Sequence, residues 1–466
     1  MTLRIFRHYI PARNLFFVCI ENLAIVMSVL IASRIAIGGE NFTLGPGLWL
    51  KVVFITVTCQ ACLYYNDLYD IKISDTFYEL IIRLLQALGV AAIILAGVYF
   101  AFPEAIIARG AFPISIGICI MLIVLGRMVY SFILNHGLFN EKVIVVGSGE
   151  LAAGIISEIE SKKDCGYEVS LKIEELSQDT ACQNPTKTPC ATVKDCPALY
   201  RTASERDVRK IIIAISEKRG NFPAKELLEC RVHGIEVVEG VSFYESLAGK
   251  LFVKQINPAW LIYSDGFKKS LLKRIVKRTE DFILSFVLLI VFLPLIAVVS
   301  LLIKVDSRGP VIFSQERMGK NMKPYRIYKF RSMVADAEKE SGPVWAKDDD
   351  DRITRVGKWI RKLRIDEVPQ LWNVLKSDMS FVGPRPERPY FVSRLESLIP
   401  YYGERFSVKP GITGWAQVCY GYGASVEDAI EKLNYDLFYI KNMSSFLDMV
   451  IILKTVKIVL FGRGSR

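Results

Sequence analysis

Histidine is nearly missing from this chain: His8, His136 and His233 are the three in 466 residues. None lies near the stretch LRIDEVPQLWNVLKSDMSFVGPRP at 363–386, so imidazole acid-base or metal chemistry is excluded there. A zinc-type cysteine cluster is missing too. Ten cysteines are scattered; Cys19, Cys59, Cys62 and Cys119 sit within apolar runs, and Cys182, Cys190 and Cys196 lack the close spacing of a zinc site. Reduced thiols in a cytoplasmic setting are expected. No basic run carries interleaved aromatics, so the formal charge of +11 does not point to nucleic acid as a partner. Carboxylates and cations must carry any reaction.

What the chain does have is apolar length. At 52% hydrophobic residues and a mean hydropathy of +0.30 it is too apolar for a wholly soluble protein, and its cations suit membrane lipid. Four apolar segments, about 15–37, 47–66, 79–102 and 112–135, each approach the roughly 20 residues a spanning helix needs. Four exceed what a cleaved leader would carry. Arg4, Arg7 and Arg13 precede the first, while the loop GGENFTLGPG after it has no lysine or arginine, which puts the N-terminus in the cytoplasm. Of the charges interrupting these segments, Arg34, Lys51 and Arg83 read as snorkelling side chains, with Glu21 the exception.

Residues 141–262 change character. KVIVVGSGELAAGIISEIE is a β-branched run, a glycine turn and a helical pattern, as in a βαβ unit, and IIIAIS and GIEVVEG supply further strands. Gly147, Gly149 and Ala152 match G-x-G-x-x-A, with Glu174 and Glu175 near where a ribose-binding acid would lie. Two readings stand: a cradle for a nucleotide phosphate, or a Rossmann-like spacer whose glycines only make a tight turn. A polar, proline-bearing loop occupies 179–197.

A fifth apolar segment, FILSFVLLIVFLPLIAVVSLLI, is 22 residues without charge and long enough to span. It follows the cationic pairs Lys273, Arg274 and Lys277, Arg278. A crossing would put the basic stretch 304–466 on the far side of the membrane. Pro294 lies mid-segment, where it removes a helix hydrogen bond and forces a bend. An ordinary kinked span is one reading; a re-entrant helix, about 281–303, is the one the following residues favour.

GPVIFSQERMGKNMKPYRIYKFRSM, 309–333, reads as two strands around a Gly-Lys-Asn turn and carries Arg317, Lys320, Lys323, Arg326, Lys329 and Arg331, a density suited to phosphate or lipid headgroups. Tyr325 and Lys329 form Y-x-x-x-K, but on a strand pattern rather than the helix a dehydrogenase uses. The acid run 347–351 includes Asp350 and Asp351, read as a solvated loop. Asp366 is expected to N-cap the apolar helix that follows, with Pro369 inside its first turn, so its carboxylate would stay ionised against free amides. Adjacent acids can divide labour: one attacks phosphorus while the other holds Mg²⁺. Arg385 and Arg388, in the proline-stiffened GPRPER, would grip phosphate oxygens.

On the stretches GPVIFSQERMGKNMKPYRIYKFRSM, DRITRVGKWIRKLRIDEVPQLWNVLKSDMSFVGPRP, VKPGITGWAQV and YDLFYIKNMSSFLDMVIILKTV, residues 268–463 resemble the bacterial sugar transferases, the polyprenyl-phosphate sugar-1-phosphate transferases. The whole chain is similar to the long form of that family, in particular its PEP-CTERM-associated exopolysaccharide branch. The resemblance implies a four-helix membrane region (1–140), a Rossmann-like domain (141–262) and a mixed α/β monotopic catalytic domain with a re-entrant helix (263–466). It also implies exchange between a UDP-sugar and undecaprenyl phosphate, with release of UMP, at the cytoplasmic face of a bacterial inner membrane. Asp366 would carry the phosphosugar, Glu367 the Mg²⁺ and Arg385 the phosphate, with Lys329 and Arg331 in the basic KFRSM motif and Arg317 nearby. Many members have Ser-Pro at the bend, where this chain has Leu293 and Pro294.

Trp415 and Gln417 in VKPGITGWAQV either shape the substrate site or close a structural loop. The C-terminal SSFLDMVIILKTVKIVLFGRG is an interfacial helix or a core helix. A membrane-anchored nucleotide-sugar dehydratase would need a second dinucleotide fingerprint ahead of a helical Y-x-x-x-K, absent from 263–466. A scaffold for polysaccharide assembly would leave the acid pair unexplained. A homo-oligomer is compatible with the sequence, which does not set the number of chains.

Overall fold

The computed structural model describes the chain except residues 1, 6–7, 39–44, 67, 70–76, 109, 136–139, 163–164, 175–189, 193–198, 216–222, 257, 265, 268, 335–351, 422, 424 and 462–466. Glu175, the acid run with Asp350 and Asp351, Cys182, Cys196 and most of the 179–197 loop lie outside the described residues. Two compact units form, one from Met1–Ile5 and Tyr9–Phe243, the other from Phe6–His8 and Tyr244–Arg466.

In the first unit two short strands, β1 (Thr2–Ile5) and β2 (His8–Pro11), precede four long helices: α1 (Ala12–Ile37), α2 (Pro46–Tyr65), α3 (Phe77–Ala101) and α4 (Ala111–Asn135). All four are long and apolar enough to cross a membrane, as the sequence implied. Their shared core includes Ile25, Val29, Val52, Leu63, Leu84 and Ile123, and the small Ala32, Ala87 and Ala91 are fully buried, which permits close helix approach. Val53, Phe54 and Ile93 face outward, as lipid-facing residues would. Glu21 is the expected exception among the charges. Its Oε1 lies 2.8 Å from Arg127 Nη2 of α4, both residues under 5% exposed. Arg127, which the sequence reading passed over, also donates to the Leu68 carbonyl at 2.9 Å, and Tyr69 donates to Glu21.

The same unit holds a parallel sheet of five strands: β3 (Glu141–Val146), β4 (Tyr167–Glu174), β5 (Cys190–Thr192), β6 (Lys210–Ile213) and β7 (Glu236–Glu239), ordered β5-β4-β3-β6-β7. This 3-2-1-4-5 order is the doubly wound Rossmann order short of its sixth strand, with β3 central and buried from Val143 to Val146. Helices α5 (Glu150–Ser161), α6 (Leu199–Glu205) and α7 (Ala224–Val232) cross between strands. Gly147 sits at φ +143°, and a Cβ there would meet the Ala214 carbonyl oxygen at 2.3 Å. Close backbone packing requires this glycine. Gly149 precedes the first turn of α5 as its cap residue. Glu174 is paired with Lys172 at 2.5 Å.

Helix α8 (Gly240–Ala248) leads into the second unit. The boundary expected at 262 differs from the division into compact units: 244–262 belongs with the C-terminal unit. Leu251 N–H donates to the Asn434 carbonyl (3.0 Å) and Val253 N–H to Asn434 Oδ1 (3.0 Å), while Glu245 pairs with Lys441 (2.6 Å). Helix α9 (Pro258–Tyr263) then precedes α10 (Leu271–Val291) and α11 (Leu293–Asp306), which meet at a 60° bend. Pro294 occupies the first turn of α11, where an N–H would have no helical partner anyway. The Phe292 N–H donates to Leu288 O (2.9 Å) and its carbonyl accepts from Ile296 (2.8 Å), so helical bonding reaches the bend from both sides without a serine.

Helix α10 starts eleven residues before the charge-free run, and two of its cations are internal ties. Lys277 pairs with Asp281 (2.9 Å) and Asp448 (2.8 Å), and Arg278 donates to the Val374 and Leu375 carbonyls at 2.6 and 2.8 Å. Phe282, Phe286, Ile290, Leu301 and Val305 remain exposed along the bent pair.

Strands β8 (Ile312–Met318) and β9 (Pro324–Phe330) pair antiparallel from Ile312↔Phe330 to Met318↔Pro324, the hairpin the sequence indicated. Helices α12 (Arg355–Lys362) and α13 (Gln370–Lys376) follow, then β10 (Ser380–Val382), α14 (Pro389–Leu398), β11 (Gly411–Thr413), α15 (Trp415–Cys419), α16 (Val426–Asn442) and α17 (Ser445–Phe461). β10 and β11 pair in parallel. Gly383 and Gly411 come so close that a Cβ on Gly411 would lie 2.1 Å from Gly383 N. Trp415 donates to the Gly249 carbonyl (2.8 Å) and Gln417 to Ile412 O (3.4 Å), which is the structural-loop reading. α17 buries Leu447 and Ile451 and exposes Met449 and Leu460, so core and interfacial faces share one helix.

Candidate active site

The acid pair lies on a tight turn between α12 and α13. Thr354 caps α12 by accepting from Gly357 N–H (2.9 Å), and Arg364, at φ +54°, ends that helix in the left-handed region that non-glycine residues rarely occupy. Ile365–Glu367 then form one 3₁₀ turn. Ile365 and Val368, three residues apart, pack on the cluster of Phe330 and Ile360, which fastens the turn to β9.

Asp366 is therefore not a helix cap. It sits inside the 3₁₀ turn, and the next helix begins behind Pro369, whose own backbone is helical. Its carboxylate receives no hydrogen bond from the described residues, and burial pushes its pKa up to about 6; Lys329 opposes that shift and Glu367 adds to it. This corrects the expectation of a carboxylate kept ionised by free amides: partial burial and a neighbouring anion govern it instead.

Glu367 is the buried partner. Its Oε1 lies 3.0 Å from Lys329 Nζ and 3.3 Å from Arg385 Nη2, and its Oε2 lies 3.9 Å from Arg364 Nη1. Burial alone would raise this carboxyl, but Lys329, Arg385 and Arg364 outweigh it and hold Glu367 well below the usual range. One carboxylate is locked as an anion while its neighbour is poised between forms.

Lys329 reaches Glu367 because β9 is clamped from the other side. Asn373 of α13, fully buried, donates to the Arg326 carbonyl (2.8 Å) and accepts from Tyr328 N–H (3.0 Å). Both groups belong to the β9 edge that β8 does not cover. Sequence reasoning missed Asn373, although a polar residue at a core-facing position of QLWNVLK was the available signal.

The other expected phosphate cations divide. Arg331 is 5% exposed and its Nη2 donates to Ser307 O (2.7 Å) and Ser307 Oγ (2.9 Å). It braces the end of α11: residue 331 follows the end of β9 and its side chain turns inward, without a described contact to the acid pair. Arg317, with 19% of its side chain exposed, donates to Pro386 O (3.2 Å) and Gln315 Oε1 (2.9 Å), and desolvation lowers its pKa to about 10. Arg388 is the cap residue of α14, accepting through its carbonyl from Phe391 and Val392. Arg385 and Lys329 alone of the five join the acid pair through a described contact.

A family model, bacterial sugar transferase, matches residues 272–462, and a second, CoA-binding domain, matches 65–236. The UDP-N-acetylgalactosamine-undecaprenyl-phosphate N-acetylgalactosaminephosphotransferase of Aeromonas hydrophila is 43% identical over 240 residues, 52% of this chain and 56% of that protein. The undecaprenyl-phosphate galactose phosphotransferase of Salmonella typhimurium is 31% identical over 366 residues, 74% of each chain. This chain belongs to the bacterial sugar transferase family. The undecaprenyl-phosphate glucose phosphotransferase of Komagataeibacter xylinus is 43% identical over 194 residues, 41% of this chain and 36% of that protein. The match thus spans a little over half of the Aeromonas relative and about a third of the Komagataeibacter one. These three transferases are named for three different sugars, so overall likeness to the family leaves the sugar open.

Proposed function

We propose that the chain transfers a sugar 1-phosphate from a UDP-sugar to undecaprenyl phosphate, with Asp366 as covalent carrier. One observation carries this reading: a carboxylate that accepts no hydrogen bond from the described residues stands beside a second carboxylate that Lys329 and Arg385 already neutralise. An Asp366 oxygen attacks the sugar-bearing phosphorus, the bond from that phosphorus to the bridging oxygen of UMP breaks, and UMP leaves with the electron pair. The undecaprenyl phosphate oxygen then attacks the same phosphorus, the bond to Asp366 breaks, and the carboxylate is regenerated. Arg385 and Lys329 face the charge that develops on the phosphoryl oxygens.

The residues present fit Mg²⁺. Asp366 and Glu367 supply hard carboxylate oxygens, and among the described residues no third acid, histidine or cysteine completes a cage, which matches an ion that takes its remaining ligands from phosphate and water. When bound, Mg²⁺ neutralises diphosphate charge so that an anion can approach. Exposed apolar side chains along α10 and α11 support insertion at the bend. The bent pair is then re-entrant, keeping the catalytic residues on the cytoplasmic face of a bacterial inner membrane at the depth of the acceptor phosphate.

Membranes bearing the full chain, given undecaprenyl phosphate, Mg²⁺ and in turn UDP-N-acetylgalactosamine, UDP-galactose and UDP-glucose, are expected to release UMP from at least one donor. Asp366→Asn at equal expression abolishes that release and the sugar-phosphate adduct on the protein. Unchanged turnover in Asp366→Asn would reject the reading.

A further inference from the structure

The Gly383–Arg388 turn that presents Arg385 carries two prolines, Pro384 and Pro386, which contribute no backbone N–H. Its four successive carbonyls all accept hydrogen bonds from outside the turn. Pro384 O takes Gly411 N–H (2.9 Å), Arg385 O takes Arg405 Nη2 (3.1 Å), Pro386 O takes Arg317 Nη1 (3.2 Å) and Glu387 O takes Met318 N–H (2.9 Å). The two central donors are guanidiniums from opposite sides, the partly buried Arg317 from β8 and the buried Arg405 from the segment before β11.

Arg405 is 6% exposed. It is held by Asp436 of α16 (2.8 Å) and by the Tyr402 hydroxyl (2.6 Å), and among the described residues the Nε atoms of both Arg405 and Arg317 have no hydrogen-bond partner. Burying the Arg405 cation with its donors not all satisfied is costly, and replacing a buried charge by an apolar side chain is often neutral or stabilising. Stability alone does not account for Arg405. What the two arginines share is a pair of successive carbonyls, those of Arg385 and Pro386, at the residue whose side chain reaches Glu367.

We infer that Arg405 and Arg317 are positioning residues: they clamp the carbonyls of Arg385 and Pro386 so that the Arg385 guanidinium is held at Glu367 and the donor phosphate. The inference rests on the phosphotransfer reading above. Arg385 is 42% exposed in its side chain and, among the described residues, makes a single 3.3 Å contact to Glu367, so its backbone must supply the order that its side chain lacks. Asp436 orients Arg405 in turn.

The test is a double-mutant cycle on the full chain in membranes, reading UMP release against the concentration of whichever of the three UDP-sugars is turned over. Arg405→Gln is expected to raise the donor KM and lower kcat/KM by about tenfold to a hundredfold, the scale of a misplaced catalytic group. Added to Arg385→Ala, it is expected to cost no further loss, because the group it positions is already gone. A variant that merely unfolds part of the population lowers kcat in proportion and leaves KM unmoved. Arg405→Lys keeps the charge against Asp436 and guards against misfolding; with one ammonium in place of the fork, it is also expected to raise KM. Donor KM within about twofold of the parent in both variants, or losses that multiply with Arg385→Ala, would overturn the inference. If the parent protein releases no UMP that depends on Asp366, the phosphotransfer reading fails instead, and the two failures are thereby separated.

Discussion

Lys329 Nζ lies 3.0 Å from Glu367 Oε1, across 38 residues of sequence and from a strand to a 3₁₀ turn. This contact, with those of Arg385 and Arg364, keeps Glu367 ionised, and the ionised Glu367 adds to the burial that lifts Asp366 to about 6. Attack on phosphorus needs the carboxylate form of Asp366, which is the deprotonated one. Donor kcat/KM is therefore expected to fall about tenfold per pH unit below about 6 and to level off above it. Lys329→Met removes the largest opposing charge, so the acid limb of the pH-rate profile moves to higher pH. An unmoved limb would mean that another group sets it.

Asn373 is expected to govern both stability and the placement of Lys329. Asn373→Ala strands the Arg326 carbonyl and the Tyr328 N–H on β9, at a cost of about 1–3 kcal/mol for each group left buried and unpaired. Thermal unfolding of the solubilised protein measures the first effect. Lowered UMP release from the folded fraction measures the second.

Arg331 and Lys329 lie two residues apart in one basic motif and are expected to behave differently. Arg331→Met removes charged hydrogen bonds to Ser307 and lowers stability by about 2–3 kcal/mol, while donor KM stays near the parent value. Lys329→Met alters the pH-rate profile as described. Equal effects of both on KM would restore Arg331 to the phosphate site.

In the membrane bundle, Glu21→Leu or Arg127→Leu alone leaves one buried charge without its partner and is expected to cost about 3–5 kcal/mol. The double replacement is expected to recover much of that loss. Unfolding of the full chain in detergent, compared across the cycle, checks the non-additivity.

The four long helices, the β-α-β alternation of the middle region, the β8–β9 hairpin and the acid pair were all legible in order along the chain, because each is written by local periodicity or by a run of neighbouring residues. Pro294 likewise marked the 60° bend in advance. The cation at Arg127 and the amide at Asn373 were not legible in their roles, since each acts on a group far away in sequence.

Residue types alone made carboxylates and cations, not imidazoles or thiols, the candidate groups at 363–386, which holds Asp366, Glu367, Asp378 and Arg385 but no histidine or cysteine. Only the tertiary structure decided which cations touch the acids and which support the backbone. Lys329, Arg331, Arg317 and Arg385 carry the same charge and stand in similar basic stretches, yet burial sends two of them inward to carbonyls and two toward Glu367. That choice depends on where strands and turns place each Cα, a long-range property that no local pattern encodes.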